Sequence, residues 1–210
     1  CIKDEVQKIR LNIPGIFSVY NALSAASCAY SLGVPINVIK EGLEAIKSIP
    51  GRFEIVESNE KFTVVIDYAH TPDGLLNLLK TVDQVANGRK VLLFGCGGDR
   101  DRTKRPVMGK IAGSMADFVI VTSDNPRSED PLLIIEDILQ GLSKTDAQYV
   151  VIPDRFEAIR YAIVNAKEND FIVLAGKGHE DYQILKDKTI HFDEREVVNS
   201  VLKEIRKDEP

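Results

Sequence analysis

The chain has no tryptophan, and only 2 of its 210 residues are methionine, 3 cysteine and 3 histidine. Each scarcity excludes something. Cys1, Cys28 and Cys96 are an odd count with no C-x-x-C spacing, as expected of free thiols in a reducing, cytoplasmic setting rather than a disulfide or zinc framework. His70, His179 and His191 lie far apart with no H-E-x-x-H, and "GHED" sets one histidine beside carboxylates, so no metal site is expected. No apolar run approaches the roughly 18 residues of a membrane-spanning helix, so no membrane span is predicted. The opening "CIKDEVQKIR" is charged throughout, unlike a signal peptide. A formal net charge of −5, without a basic block or an aromatic–basic stripe, speaks against nucleic acid as a partner. The phosphate-loop pattern G-x-x-x-x-G-K-[ST] is absent, and the glycines at 95, 97 and 98 do not form G-x-G-x-x-G.

What is present is a rhythm. "FTVVIDY" (62–68), "KVLLFG" (90–95), "DFVIVT" (117–122), "QYVVIP" (148–153) and "DFIVLAG" (170–176) are short, nearly continuous apolar runs rich in β-branched residues. They read as strands buried on both faces. Segments 72–85, 130–142 and 154–166 carry apolar residues at helical spacing, with Asp130 and Asp154 as N-caps and Pro72 opening the first. Such alternation predicts an α/β domain: a Rossmann-like, mostly parallel sheet with helices on both faces. "RFEIVESNEKFTVVIDY" predicts an opening hairpin, and "KTIHFDEREVVNSVLKEIRK" one more strand and a closing helix. Residues 1–50 break the rhythm with two helical stretches that cannot bury their own apolar faces. "PGR" at 50–52 therefore marks the predicted boundary between a helical remnant of another domain (1–50) and the α/β domain (51–210).

In an open parallel sheet, ligands bind beyond the carboxyl ends of the strands. Four such ends carry unusual loops, "DYAHTPDG", "GCGGDRDRTKRP", "TSDNPR" and "AGKGHED". The glycines at 95, 97, 98, 176 and 178 let the backbone approach a ligand closely. The run "DRDRTKR" (99–105), taken alone, reads as a solvated face. Arg100, Asn125 and Arg127 are candidate carboxylate readers, because an arginine fork grips a carboxylate with two hydrogen bonds. Glu180 is a candidate ammonium reader, and Asp67 and His70 are candidate nucleotide contacts. Pro126 is expected to fix the backbone so that Asn125 and Arg127 project together. A ligand with carboxylates at both ends and an amine between fits this inventory better than a phosphate does.

"PGIFSVYNALSAA", "GRFE", "VIDYAHTPD", "LLFGCGGDRDRTKRPVMG", "TSDNPR" and "AGKGHE" follow one another over nearly the whole chain. In that order they resemble the C-terminal half of the Mur ligases, specifically the type that adds the third residue to the peptidoglycan stem peptide. The resemblance implies an ADP-forming ligase using ATP and Mg2+. ATP would phosphorylate a carboxyl of UDP-N-acetylmuramoyl-L-alanyl-D-glutamate, and the amine of an incoming amino acid would attack the acyl phosphate. It further implies that D-N-P-R selects meso-2,6-diaminopimelate over lysine. Carried over position by position, Arg100, Asp124, Asn125, Pro126, Arg127, Gly176 and Glu180 form the diaminopimelate site, and Asn21, Arg52, Asp67 and His70 face the nucleotide. Ser18 stands where the family often has asparagine. The resemblance places the phosphate loop, the magnesium ligands and the sugar-nucleotide domain in upstream domains of the same enzyme, so catalytic residues are not expected here. Other readings are a lysine-adding ligase or folylpolyglutamate synthetase, which D-N-P-R disfavours, and a non-catalytic Rossmann-like binding module, which the orphan helical start disfavours. A nicotinamide oxidoreductase lacks its glycine fingerprint.

Overall fold

The structure, a computed structural model, describes residues 6–207, so Cys1 lies outside it. The chain divides into two compact units, residues 1–49 and 50–210. The first holds α1 (Ile16–Ser31) and α2 (Ile36–Ala45). Gly15, at φ 96°, opens α1, and Ser18 Oγ donates to the Pro14 carbonyl. Ile16, Val19, Tyr20 and Leu23 of α1 are exposed, and Ile39 of α2 is the buried residue of the pair.

The second unit begins with β1 (Glu54–Val56) and β2 (Thr63–Asp67), which pair as an antiparallel hairpin. Then come α3 (Pro72–Val85), β3 (Lys90–Phe94), α4 (Lys104–Met115), β4 (Phe118–Val121), α5 (Pro131–Leu142), β5 (Gln148–Val151), α6 (Arg155–Val164) and β6 (Phe171–Ala175). The sheet order is β1-β2-β6-β3-β4-β5, with every pairing beyond the hairpin parallel. The expected mostly parallel α/β sheet is therefore present, and the loops after β2, β3, β4 and β6 open at the same, carboxyl end of their strands.

Successive strand residues point to opposite faces. Val64, Ile66, Leu93, Ile120, Ile172 and Leu174 pack with Ala158, Ile159 and Ile163 of α6 and with Val198, Val201 and Leu202 of α7 (Glu194–Lys207). Their neighbours Val65, Leu92, Val119 and Val173 are as deeply buried on the other face. Helices α3, α4 and α5 pack in series there. The caps follow the sequence: Asp130 accepts from Leu132 N at 2.8 Å, Asp154 from Glu157 N at 3.0 Å, and Thr71 precedes Pro72 and accepts from Gly74 N at 3.1 Å.

Three expectations are corrected. Helix α4 had no sequence counterpart; its core side is largely glycine and arginine, as Gly109 and Arg105 are buried beside Met108 and Ala112. Strand β5 is not buried on both faces, because it is the sheet's edge and exposes Gln148 and Tyr149. The single late strand is instead a separate antiparallel pair, β7 (Tyr182–Ile184) with β8 (Thr189–His191).

Candidate functional site

The loops after β2, β3, β4 and β6 line one cavity of about 560 Å³. Tyr68, His70, Thr71 and Pro72 contribute from the first loop, and Gly97, Arg100, Asp101 and Thr103 from the second. Asp124, Asn125 and Arg127 contribute from the third, and Gly176 and Glu180 from the fourth. Helix α4 adds Lys104 and Val107. Six of the seven residues expected to bind the amino acid thus face one space. Pro126 is buried behind them.

The β4 loop is held from several sides. Asp124 Oδ1 accepts from Asn125 N at 2.6 Å, and its carbonyl accepts from Gln183 Nε2 at 2.7 Å. The Asn125 amide is held at both ends: Nδ2 donates to Glu180 Oε2 at 2.8 Å, and Oδ1 accepts from Ile184 N at 2.9 Å. Arg127 N donates to the Ile184 carbonyl, which stitches the loop to β7. Asn125 and Arg127 both line the cavity, but their side chains are held differently. The backbone turns at Arg127, whose φ is 51°, a conformation non-glycine residues rarely adopt. Its Nη1 folds back onto the carbonyls of Gly98 (2.9 Å) and Asn125 (3.3 Å). Asn125 therefore positions Glu180, while Arg127, half-buried, binds those two carbonyls through Nη1.

Lys177 went unnoticed in the sequence. It is fully buried, and Nζ donates to Glu180 Oε2 at 3.0 Å and to Asn125 Oδ1 at 3.4 Å, 5.6 Å from the centre of the Tyr182 ring. Glu180 therefore meets any incoming ammonium with one oxygen already bound to an internal one. Gly176 sits at φ 119°, where any side chain is strained, and a Cβ there would also crowd Asp124 Oδ2 at 2.7 Å.

The β3 loop behaves differently. Arg100 is exposed, with Nη1 on the Asp99 carbonyl at 2.9 Å. Arg102 is exposed as well, but Arg105 is not, so the run 99–105 is only partly a solvated face. Arg105 lies on the same face of α4 as Met108 and Ala112, and its fork meets Glu129 Oε1 at 2.8 Å, Glu129 Oε2 at 3.0 Å and Asp137 Oδ2 at 3.0 Å. These hydrogen bonds, chiefly Arg105's, hold the Glu129 carboxyl down at about 2. Glu129 Oε1 also accepts from Asp99 N at 2.6 Å, fixing the turn that presents Arg100. Cys96 is buried against Met108 and its thiol is pushed up to about 12 by burial, so it is no nucleophile.

On the β2 side, Asp67 is buried and both oxygens serve the backbone. Oδ2 accepts from Phe53 N and Oδ1 from Ala69 N, each at 2.8 Å. Burial raises its pKa above the usual carboxylate value despite those bonds. Asp67 thus shapes two loops and has no oxygen free of a backbone partner. Arg52 and His70 are exposed around Tyr68: the guanidinium carbon lies 4.7 Å from the ring centre, and the imidazole packs edge-on at 4.6 Å. Asn21 is exposed on α1, in the first unit. Among the described residues, no three His, Cys, Asp or Glu side chains gather to hold a metal ion.

The family model described as "Mur ligase, glutamate ligase domain" matches residues 51–178. The chain belongs to the Mur ligase family. Within that family, it is 56% identical over 205 residues to the UDP-N-acetylmuramoyl-L-alanyl-D-glutamate–2,6-diaminopimelate ligase of Clostridium botulinum. That match takes in 97% of this chain and 42% of the relative. The enzyme of the same name from Caldanaerobacter subterraneus is 55% identical over 206 residues, covering 98% of this chain and 42% of the relative. A solved structure of a ligase of that name superposes with a TM-score of 0.73 at 37% identity, over 94% of this chain and 40% of that one. The alanine ligase of Thermotoga maritima, with the same TM-score at 21% identity over 99% of this chain and 42% of that one, shares the fold. This Mur ligase chain spans about 42% of the length of the curated relatives it matches.

Proposed function

We propose that this chain is the amino-acid-binding part of an ATP-dependent, ADP-forming ligase that adds meso-2,6-diaminopimelate to UDP-N-acetylmuramoyl-L-alanyl-D-glutamate in the cytoplasm, as a step of peptidoglycan precursor synthesis. The observation that carries the proposal is the meeting of opposite readers in one cavity. Arg127 and Arg100 supply guanidinium groups, while Asp124 and Glu180 supply carboxylates. Diaminopimelate has an amino-acid group at each end, and each end can find a cation for its carboxylate and an anion for its ammonium. Lysine lacks the second carboxylate, so it would leave a guanidinium desolvated and unpaired. A site built to hydrogen-bond a group rejects the analogue lacking it strongly.

The reaction needs the glutamate carboxylate to take the γ-phosphoryl of ATP with release of ADP. The neutral amine of diaminopimelate then attacks the acyl carbon, phosphate leaves, and the nitrogen's extra proton departs to form the amide. The chain's part is to orient that amine. Arg52 and His70, exposed beside Tyr68, suit contact with the nucleotide, whereas Asp67 suits shaping their loop. We assign magnesium to no residue of this chain. The remaining machinery belongs to upstream domains, with Asn21 on the helical unit facing their nucleotide, and closure of the domains completes the site. On this reading the 210 residues alone form no amide and hydrolyse no ATP.

The test is Arg127→Ala in a full-length ligase that carries this chain. The preference for meso-diaminopimelate over lysine, as the ratio of kcat/KM values, is expected to fall by up to about 10⁴-fold. An unchanged preference overturns the proposal.

A further inference from the structure

Strands β4 and β6 carry the Asp124 and Gly176 loops, but they are not neighbours: β3 lies between them. Two strand spacings, about 9–10 Å, separate them, and no ladder bond joins them directly. One buried side chain reaches both. Arg155, the first residue of α6, donates from Nη1 to the Ser123 carbonyl at 3.2 Å and from Nη2 to the Ala175 carbonyl at 3.0 Å. Its Nε and Nη2 meet Glu194 Oε1, at 2.9 and 2.8 Å, and both side chains are fully buried.

The two carbonyls are those of the residues immediately before Asp124 and Gly176. A peptide unit is planar, so fixing a carbonyl oxygen fixes the direction of the next residue's N–H and the start of its backbone. The close approach is real on both sides. A Cβ on Gly95, at the end of β3, would lie 2.3 Å from the Thr122 carbonyl, and one on Gly176 would lie 2.7 Å from Asp124 Oδ2. With so little slack, a shift of either strand end moves a ligand-facing group against the other.

We infer that Arg155, oriented by Glu194, is a positioning residue that sets the spacing of the Asp124 and Gly176 loops across β3, and thereby the geometry of the amino-acid site. The inference rests on the amino-acid-binding reading of the cavity. Arg155 touches no ligand; it acts through two carbonyls on the groups that do. The arginine fork is needed because a lysine ammonium has no rigid plane with which to span both carbonyls and the carboxylate.

Arg155→Lys in a full-length ligase carrying this chain keeps the charge facing Glu194 and loses the fork. The KM for meso-diaminopimelate is expected to rise by about tenfold or more, the fold-change of weakening about one charge-assisted hydrogen bond to the ligand. The KM for ATP is expected to stay within about twofold, and the preference over lysine to fall. If Arg155→Lys does not fold, the double variant Arg155→Gln with Glu194→Gln takes its place, because it removes both buried charges together and keeps an amide donor for one of the two carbonyls. A folded variant whose amino-acid KM and preference match the parent overturns the inference, as does one that loses only folded fraction and kcat. A parent enzyme that shows no preference for meso-diaminopimelate overturns instead the functional reading on which it rests.

Discussion

On the β4–β6 wall of the cavity, Asp124, Asn125 and Gly176 are buried, and hydrogen bonds tie this wall to Glu180, to β7 and to Lys177, which is buried but does not line the cavity. On the β2 wall, His70 is exposed, as is Arg52 beside the wall, and Tyr68 rather than a hydrogen-bond network organises them. The difference is physical. On the proposed function, selecting between amino acids that differ by one carboxylate would require groups that cannot relax around the wrong ligand, and positions fixed before binding meet that requirement. A nucleotide shared with another domain can be gripped on closure, and its contacts can stay in water until then.

The largest expected effect breaks the fixed wall. Lys177→Met removes a fully buried cation and leaves Glu180 with Asn125 as its remaining partner. Removing one partner of a buried pair costs about 3 kcal/mol at the lower end of the range, the end appropriate to a Glu180 side chain 14% exposed. For a chain of this size that is a fall in Tm of roughly 6–12 °C, readable by thermal unfolding of the chain itself. A melting point within about a degree of the parent would mean that Lys177 is not holding the wall, and the contrast between the walls would lose its best support.

Acid sharpens the comparison at lower amplitude. Glu129 is held at about 2 against an ordinary 4.5, first by its hydrogen bonds to Arg105. A depressed carboxylate contributes stability that is present above its unfolded pKa and is lost as pH falls through the folded one. The β3 turn carrying Asp99 and Arg100 is therefore expected to loosen between about pH 4.5 and 2, and Glu129→Gln to flatten that part of the stability–pH curve. Asp67 works in the opposite sense: burial raises its pKa, so its contribution is full below the ordinary aspartate value and lost as pH rises through the raised one. The Glu129 side chain is a fifth exposed, so solvent screening keeps the effect below that of Lys177→Met.

Both walls were legible in the sequence only in part. The strands of the main sheet were readable as short apolar runs, and α3, α5 and α6 because their apolar residues keep helical period behind Pro72, Asp130 and Asp154. Helix α4 was not, because it meets α5 through backbone: a Cβ on Gly109 would lie 2.1 Å from the Ile138 carbonyl, and one on Gly141 1.7 Å from that of Pro106. Contact made by glycine leaves no hydrophobic period. Of the residues named from their loops, His70, Arg100, Asp124, Asn125, Arg127, Gly176 and Glu180 line the cavity while Asp67 and Pro126 do not, and several of the groups that hold the site are charged residues that read as surface. Arg105 and Arg155 did leave a signal, since each sits at helical phase with the buried positions three, four and seven residues on, 108, 109 and 112 or 158, 159 and 162. Lys177 sits between two glycines at positive φ, where no period exists to betray burial.

The smallest expected effect on stability tests the open wall. Arg52 is exposed, and its one aromatic partner is the Tyr68 ring at 4.7 Å. A cation over an aromatic face at an exposed site contributes about 0.5–1 kcal/mol, so Arg52→Ala should shift unfolding of the chain by no more than about that. In a full-length ligase carrying this chain, the same change should raise the KM for ATP while the KM for diaminopimelate and the preference over lysine stay put. The reverse split, with the amino-acid KM rising and the ATP KM fixed, would put Arg52 on the amino-acid side. The exposed wall would then be part of the selector, and rigidity could no longer be what separates the two walls.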